Sequence, residues 1–165
     1  MEFISFTAKE TKKKFQLKIF SRSKAYNIFC MITQKYITDL TYRINGACIE
    51  VHKILGSGLA EIVYHKALEK ELNLRNIEYK SEFQIPVIYK DEILNCDFKC
   101  DFFIENLIVL EIKSVASISD IHKFQVINYM NLLKVPKGIL VNFNVKNLYH
   151  FGQETFINKY FDQYD

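Results

Sequence analysis

Apolar positions first follow a helical period. Ile37, Leu40, Ile44, Ala47, Cys48, Val51 and Leu55 recur at spacings of three, four and seven, which lays one apolar stripe along a helix. Gly56-Ser57-Gly58 ends it. A second helix is predicted next, with Leu59, Ile62, Val63, Leu68 and Leu72 inside and Glu69, Lys70, Glu71 and Arg75 in solvent. From residue 82 the period shortens to that of a strand: Phe83, Ile85 and Val87 alternate with other residues, and Pro86 marks an edge because it cannot donate to a ladder. Lys90-Asp91-Glu92 reads as a turn, Leu94 to Ile104 as a strand, and Glu105-Asn106 as the next turn. Leu107 to Lys113 is apolar at nearly every position, the mark of a strand buried on both faces. Ser119 caps a helix, with Asp120 in its first turn, that carries Ile121, Phe124, Ile127, Met130 or Asn131, and Leu132. Val135-Pro136-Lys137-Gly138 stops it, Gly138 to Phe143 is a buried strand, and Leu148 to Phe151 a short last one. The predicted order is α-α-β-β-β-α-β-β, an α/β fold with a mixed sheet flanked by helices.

Glu111 and Lys113 interrupt the most apolar strand. Residues two apart share a face, so carboxylate and ammonium stand together where an unpaired charge is costly. Asp101 lies one strand earlier, and the turn length decides where it goes. A two-residue turn at Glu105-Asn106 pairs 101 with 110 and separates the carboxylates. A three-residue connection through Leu107 pairs 101 with 111 and brings them to one face. Converging carboxylates suit Mg²⁺ or Mn²⁺, which take oxygen ligands, activate water and neutralise charge on a phosphate oxygen. Lys113 would orient the water or stabilise the transition state, and Glu61, just after Gly58, offers a third carboxylate. An ordinary ion pair of Lys113 with Glu111 or Asp101 explains any isolated E-x-K equally well. The hairpin, the apolar strands and the following helix favour the site. Gln125 and Tyr129, one helical turn apart, either reach toward substrate beside the metal or form a hydrogen-bonded pair at the rim of the core.

Asp101…Glu111-Ile112-Lys113 resembles the D…(D/E)-x-K signature of the PD-(D/E)xK nuclease superfamily, with Cys100 where the proline of its name stands. Gln125-Val126-Ile127-Asn128-Tyr129 resembles the Q-x-x-x-Y motif of its RecB-like branch. Gly58-Leu59-Ala60-Glu61-Ile62-Val63-Tyr64 resembles the G-x-x-E-x-x-Y motif of a family of small bacterial proteins in that superfamily. The flanks Asn45 to Lys53, Ile85-Pro86-Val87 with Tyr89-Lys90, and Asn142-Phe143 are similar too, so the resemblance runs over about residues 35–151. It implies a restriction-endonuclease-like αβββαβ core. It implies Glu61, Asp101 and Glu111 as metal ligands, with the Ile112 carbonyl as a fourth. Lys113 would be the catalytic lysine, and Gln125 and Tyr129 accessory residues. His52 and His122 also fit family positions along the cleft, although single histidines on helices are more often structural.

Composition prunes the alternatives. The chain has 165 residues and a formal charge of +3, one domain's worth of sequence. Residues 1–30 hold seven basic and two acidic side chains. The remainder is therefore slightly acidic, and the basic surplus cannot argue for nucleic-acid binding by the domain. Residues 1–30 read as a basic extension, either a tail or a stretch ahead of a natural start at Met31, and 31–165 as the nuclease-like domain. No apolar run approaches a membrane span, and no export signal is legible. Cys30, Cys48, Cys96 and Cys100 then read as reduced thiols, with Cys96 and Cys100 as small buried hydrophobes, and the expected location is the cytoplasm. The expected activity is metal-dependent hydrolysis of nucleic-acid phosphodiesters, with DNA as the substrate. The rival is a non-catalytic nucleic-acid-binding or partner module using the same cleft. Without a phosphate-binding G-x4-G-K-[ST] loop, unwinding would fall to a helicase-type partner, and a homodimer would meet two strands.

Overall fold

Thr33 starts the first helix: its hydroxyl accepts from the Tyr36 N–H, and α1 runs Gln34–Leu55. A computed structural model describes residues 32–164, so the expectations for residues 1–30 lie outside the described residues. The stripe read from sequence is the buried face of α1, and Gly56 ends the helix at φ 71, a left-handed conformation that glycine adopts without strain. Helix α2 is Glu61–Leu74. Its buried face is Tyr64, His65, Leu68 and Leu72, whereas Leu59, just ahead of the helix, and Ile62 and Val63 are exposed. The expectation that they pointed inward is corrected. The large Tyr64 ring stacks on Phe143 at 4.5 Å, and the row 64, 68, 72 follows from that anchor.

Seven strands follow: β1 Tyr79–Gln84, β2 Val87–Tyr89, β3 Glu92–Leu94, β4 Lys99–Ile104, β5 Ile108–Lys113, β6 Lys137–Asn142 and β7 Gln153–Ile157. Helix α3, Asp120–Leu133, joins β5 to β6, and the short α4, Leu148–Phe151, precedes β7. The main sheet has the order β1-β4-β5-β6-β7. All its pairs are antiparallel except β5–β6, the pair that the α3 crossover joins. Pro86 follows the edge strand β1. The strand expected from Leu94 to Ile104 is in fact two pieces, because β2 and β3 form a separate hairpin over a tight turn with Lys90 and Asp91 both at positive φ. Cys96 consequently lies exposed between strands, contrary to expectation, while Cys100 is buried. Leu148–Phe151 is helix rather than strand. Asn147 caps it by accepting from the His150 N–H at 3.1 Å, and a Cβ on Gly152 would meet Leu148 Cδ1 at 2.6 Å and the Asn142 carbonyl oxygen at 2.8 Å.

The sheet has a core on each face. Helices α1 and α2 pack over Phe102, Ile104, Ile108, Leu110, Ile112, Ile139 and Val141. Helix α3 packs over Phe103, Val109 and Leu140 through Val126, Tyr129 and Met130. Ile121, Phe124 and Ile127 are exposed, which corrects the predicted stripe of α3. The cause is Gly138 on β6. A Cβ there would sit 2.5 Å from Val126 Cγ1 and 2.6 Å from Met130 Sδ, so those side chains fill its place and set the roll of the helix. Among the described residues no helix is long and apolar enough to cross a membrane.

Candidate active site

The β4–β5 connection is the three-residue one. Glu105 and Asn106 both take positive φ, and the Leu107 N–H donates to the Ile104 carbonyl at 2.9 Å. The ladder pairs Ile104 with Ile108, Phe103 with Val109 and Phe102 with Leu110. One step further this register sets Asp101 level with Glu111. There the backbone ladder gives way to side chains: Asp101 Oδ2 accepts from the Ile112 N–H at 2.8 Å. In return, Glu111 Oε2 lies 3.5 Å from the Asp101 N–H. Asp101 is thereby fixed by backbone rather than by a long flexible partner.

Glu111 is 2% exposed, and its Oε1 accepts from Lys113 Nζ at 2.7 Å. Burial, joined by the Asp101 charge, pushes the Glu111 carboxyl up to about 7 against the pull of Lys113. Burial works against the Lys113 ammonium as well, but Glu111, Asp101 and Glu61 together hold its pKa above the ordinary lysine range. The ion pair expected for an isolated E-x-K is therefore present, and it sits against a second carboxylate. Ile112 points its side chain into the α1–α2 core. A buried and a half-buried carboxylate side by side offer only oxygen donors, which is the donor set hard divalent cations take. The residues fit such an ion.

Glu61 opens α2 next to the end of β5. Its Oε2 accepts from the Ser114 N–H at 3.2 Å, and Ser114 Oγ donates to the Leu59 carbonyl at 2.6 Å. Among the described residues no three His, Cys, Asp or Glu side chains stand close enough together to hold a metal ion. Asp101 and Glu111 are the close pair, and Glu61 borders it through Ser114 and Lys113.

Gln125 Nε2 donates to the Tyr129 hydroxyl at 2.7 Å. Burial raises the Tyr129 pKa, and Glu111 and Asp101 add to the rise. The pair expected either at substrate or at the core rim is thus a hydrogen-bonded pair within the field of the carboxylates. His52 is engaged by backbone, its Nε2 lying 2.8 Å from the Val145 carbonyl oxygen. His122 is engaged at the start of α3, where its Nδ1 accepts from the Ser119 N–H at 3.2 Å.

Three residues support the site: Ser114 had no place in the sequence reading, and Tyr64 and Asn142 entered it only as motif positions. Ser114 ties the Leu59–Glu61 turn to β5. The Tyr64 hydroxyl accepts from the Leu59 N–H and donates to the Gly56 carbonyl. Asn142, buried at the end of β6, accepts from the Val115 N–H and donates to the Val115 carbonyl. A polar residue ending the apolar run 139–141 was the legible signal for Asn142. Nothing local marks Ser114.

A mixed five-stranded sheet flanked by helices, with two carboxylates and a lysine at its central hairpin, defines a restriction-endonuclease-like class. Residues 38–152 match the family model of the PD-(D/E)XK nuclease superfamily. That is well over half of the chain, and the protein belongs to this superfamily, whose members generally use divalent metals. No curated protein and no solved structure matches the chain.

Proposed function

We propose that the protein is a Mg²⁺- or Mn²⁺-dependent nuclease that hydrolyses nucleic-acid phosphodiesters, with DNA as the substrate. It would belong to the G-x-x-E-x-x-Y family within the RecB-like branch, and it would act in the cytoplasm. The observation that carries this reading is the Asp101–Glu111 pair with Lys113 at 2.7 Å from Glu111. Asp101, Glu111, Glu61 and the Ile112 carbonyl would hold the metal. A bound divalent cation supplies Lewis acidity toward a phosphate oxygen and lowers the pKa of water. Lys113, released from part of its ion pair, would donate toward the attacking water or the phosphate. Tyr129 and Gln125 orient the backbone from α3, and His52 and His122 line the approach. A homodimer or a helicase-type partner would bring a second strand or unwinding.

The rival reading, a non-catalytic nucleic-acid-binding or partner module in the same cleft, draws on Glu61 standing apart from the close pair. Purified protein incubated with plasmid, linear DNA, single-stranded DNA and RNA decides between them. The expected result is metal-dependent cleavage that falls about 100-fold or more in Lys113→Ala and in Asp101→Ala, the size seen when a positioned charge-stabilising group is removed. Intact substrates with wild-type protein and metal overturn the nuclease reading. Calorimetry in which Glu111→Ala binds Mn²⁺ like wild type overturns the metal site.

A further inference from the structure

Where β5 and β6 end, the chain carries a group of exposed rings on the α1 side of the sheet, the face opposite the one Glu111 and Lys113 share with Val109. Lys113 pairs with Asn142 across β5–β6, and the Phe143 N–H donates to the Lys113 carbonyl at 2.8 Å. The chain runs on from there to α4. Tyr149 and Phe151 are 70% and 78% exposed, and His150 lies between them, with ring centroids 5.0 Å from Tyr149 and 6.0 Å from Phe151. The backbone beneath is anchored by buried Leu148, by the Asn147 cap and by the Gly152 carbonyl, which accepts from the Asn142 N–H at 2.8 Å. Rings carried on an anchored backbone can stack on a ligand at a reduced entropic cost.

Charge narrows what that ligand is. A hollow of about 290 Å³ beside the rings is lined by Ile49, His52, Lys53, Lys146, Asn147 and Tyr149, among others. Lys53 lies 3.7 Å from Glu50, a loose exposed pair, and Lys146 is exposed. No Asp or Glu occurs anywhere from Ile121 to Gln153, although the domain as a whole is slightly acidic. A scattered exposed aromatic needs no explanation. Three successive rings beside two ammonium groups, in a stretch free of carboxylates, match a polyanion with flat faces.

We infer that α4, with Lys53 and Lys146, is a platform for unpaired nucleotides: Tyr149 and Phe151 stack on bases while the lysines meet the phosphates. The inference rests on the nuclease reading and narrows it: the nucleic acid that α4 holds is single-stranded. The backbone-and-stacking chemistry is common to DNA and RNA.

Fluorescence anisotropy in EDTA, where no cutting occurs, tests it with a labelled oligothymidylate, an oligouridylate and a duplex of equal length. Wild type binds a single strand more tightly than the duplex, and comparing the two single strands shows whether DNA or RNA is preferred. Tyr149→Leu with Phe151→Leu keeps apolar bulk but removes the rings, and it weakens single-strand binding about tenfold or more. Tyr149→Phe retains binding. Lys53→Gln with Lys146→Gln lowers the slope of log affinity against log salt by about 1.4. Wild-type affinity in the double-leucine variant overturns the platform, as does duplex binding as tight as single-strand binding. The two readings fail separately. If wild type cleaves in Mg²⁺ while the leucine variant binds normally, only the platform is lost. If wild type neither binds nor cleaves, both are lost.

Discussion

Two buried charges in this molecule have opposite circumstances. Glu111 has Lys113 and the Asp101 N–H. Lys137 is 5% exposed, and the contacts at its ammonium are the Thr38 hydroxyl at 3.3 Å and the Phe161 ring at 4.9 Å. Burial lowers the Lys137 pKa. Below the folded-state pKa the penalty is constant. Between the folded and unfolded values the unfolded chain holds more protons, so stability rises with pH across that alkaline window. Lys137→Met is expected to be neutral or more stable near pH 7, by about 1 kcal/mol, since replacing buried ionic groups with apolar ones of similar volume often stabilises. It should also flatten the alkaline rise. Urea unfolding at pH 7 and pH 10 checks both; a variant destabilised at pH 7 contradicts the argument. Cleavage should not change, because Lys137 pairs with Ile108 at the start of β5 and β6, about 16 Å along the strands from Lys113 at 3.3 Å per residue.

At the scale of elements, the site depends on how α3 lies on the sheet, and Gly138 sets that. Gly138→Ala forces its new methyl onto Val126 and Met130. Overpacking of this kind costs about 1–3 kcal/mol. The helix must shift, and Gln125 and Tyr129 shift with it. Chemical denaturation should show the loss, and metal-dependent cleavage should fall further than the lost stability accounts for. A variant as stable and active as wild type would show that the helix slides freely. The same element marks where sequence reading runs out. α1 was legible because its stripe is continuous and faces one core, and the β4–β5 hairpin because the chemistry itself required a three-residue connection. The buried face of α3 was not legible: Ile121, Phe124 and Ile127 look like core, and only the missing Cβ of a residue on another strand says otherwise. The β2–β3 hairpin hid inside an apparently continuous strand. Glu111 and Lys113 could be placed together because i, i+2 spacing is a local rule, and Asp101 was reduced to a choice between two turn lengths. The position of Glu61, held by Ser114 more than fifty residues away, depends on packing that no local rule contains.

At the scale of the whole molecule, the acidic excess of residues 31–165 acquires a location. Part of it stands in the sheet as two carboxylates close enough for Asp101 to help hold Glu111 up to about 7, while the stretch from Ile121 through β6 and α4 carries none. A fold that sets two carboxylates side by side gains stability from any cation that joins them only in the native state. The gain is RT ln(1 + [L]/Kd), about 2.7 kcal/mol at a hundredfold excess over Kd, which for a domain of this size raises Tm by roughly 5 °C or more. Mn²⁺ or Mg²⁺ should therefore raise the thermal midpoint of wild type, and EDTA should reverse the rise. Asp101→Asn separates charge from architecture. An asparagine oxygen can still accept from the Ile112 N–H, so the strand junction survives, but the repulsion on Glu111 is gone. In EDTA this variant should melt at or above the wild-type midpoint, and divalent cations should no longer shift it. If Asp101→Asn melts well below wild type in EDTA, Asp101 is held for its charge toward Lys113, and the pair is a structural salt bridge. If it still gains several degrees with Mn²⁺, the ion binds elsewhere.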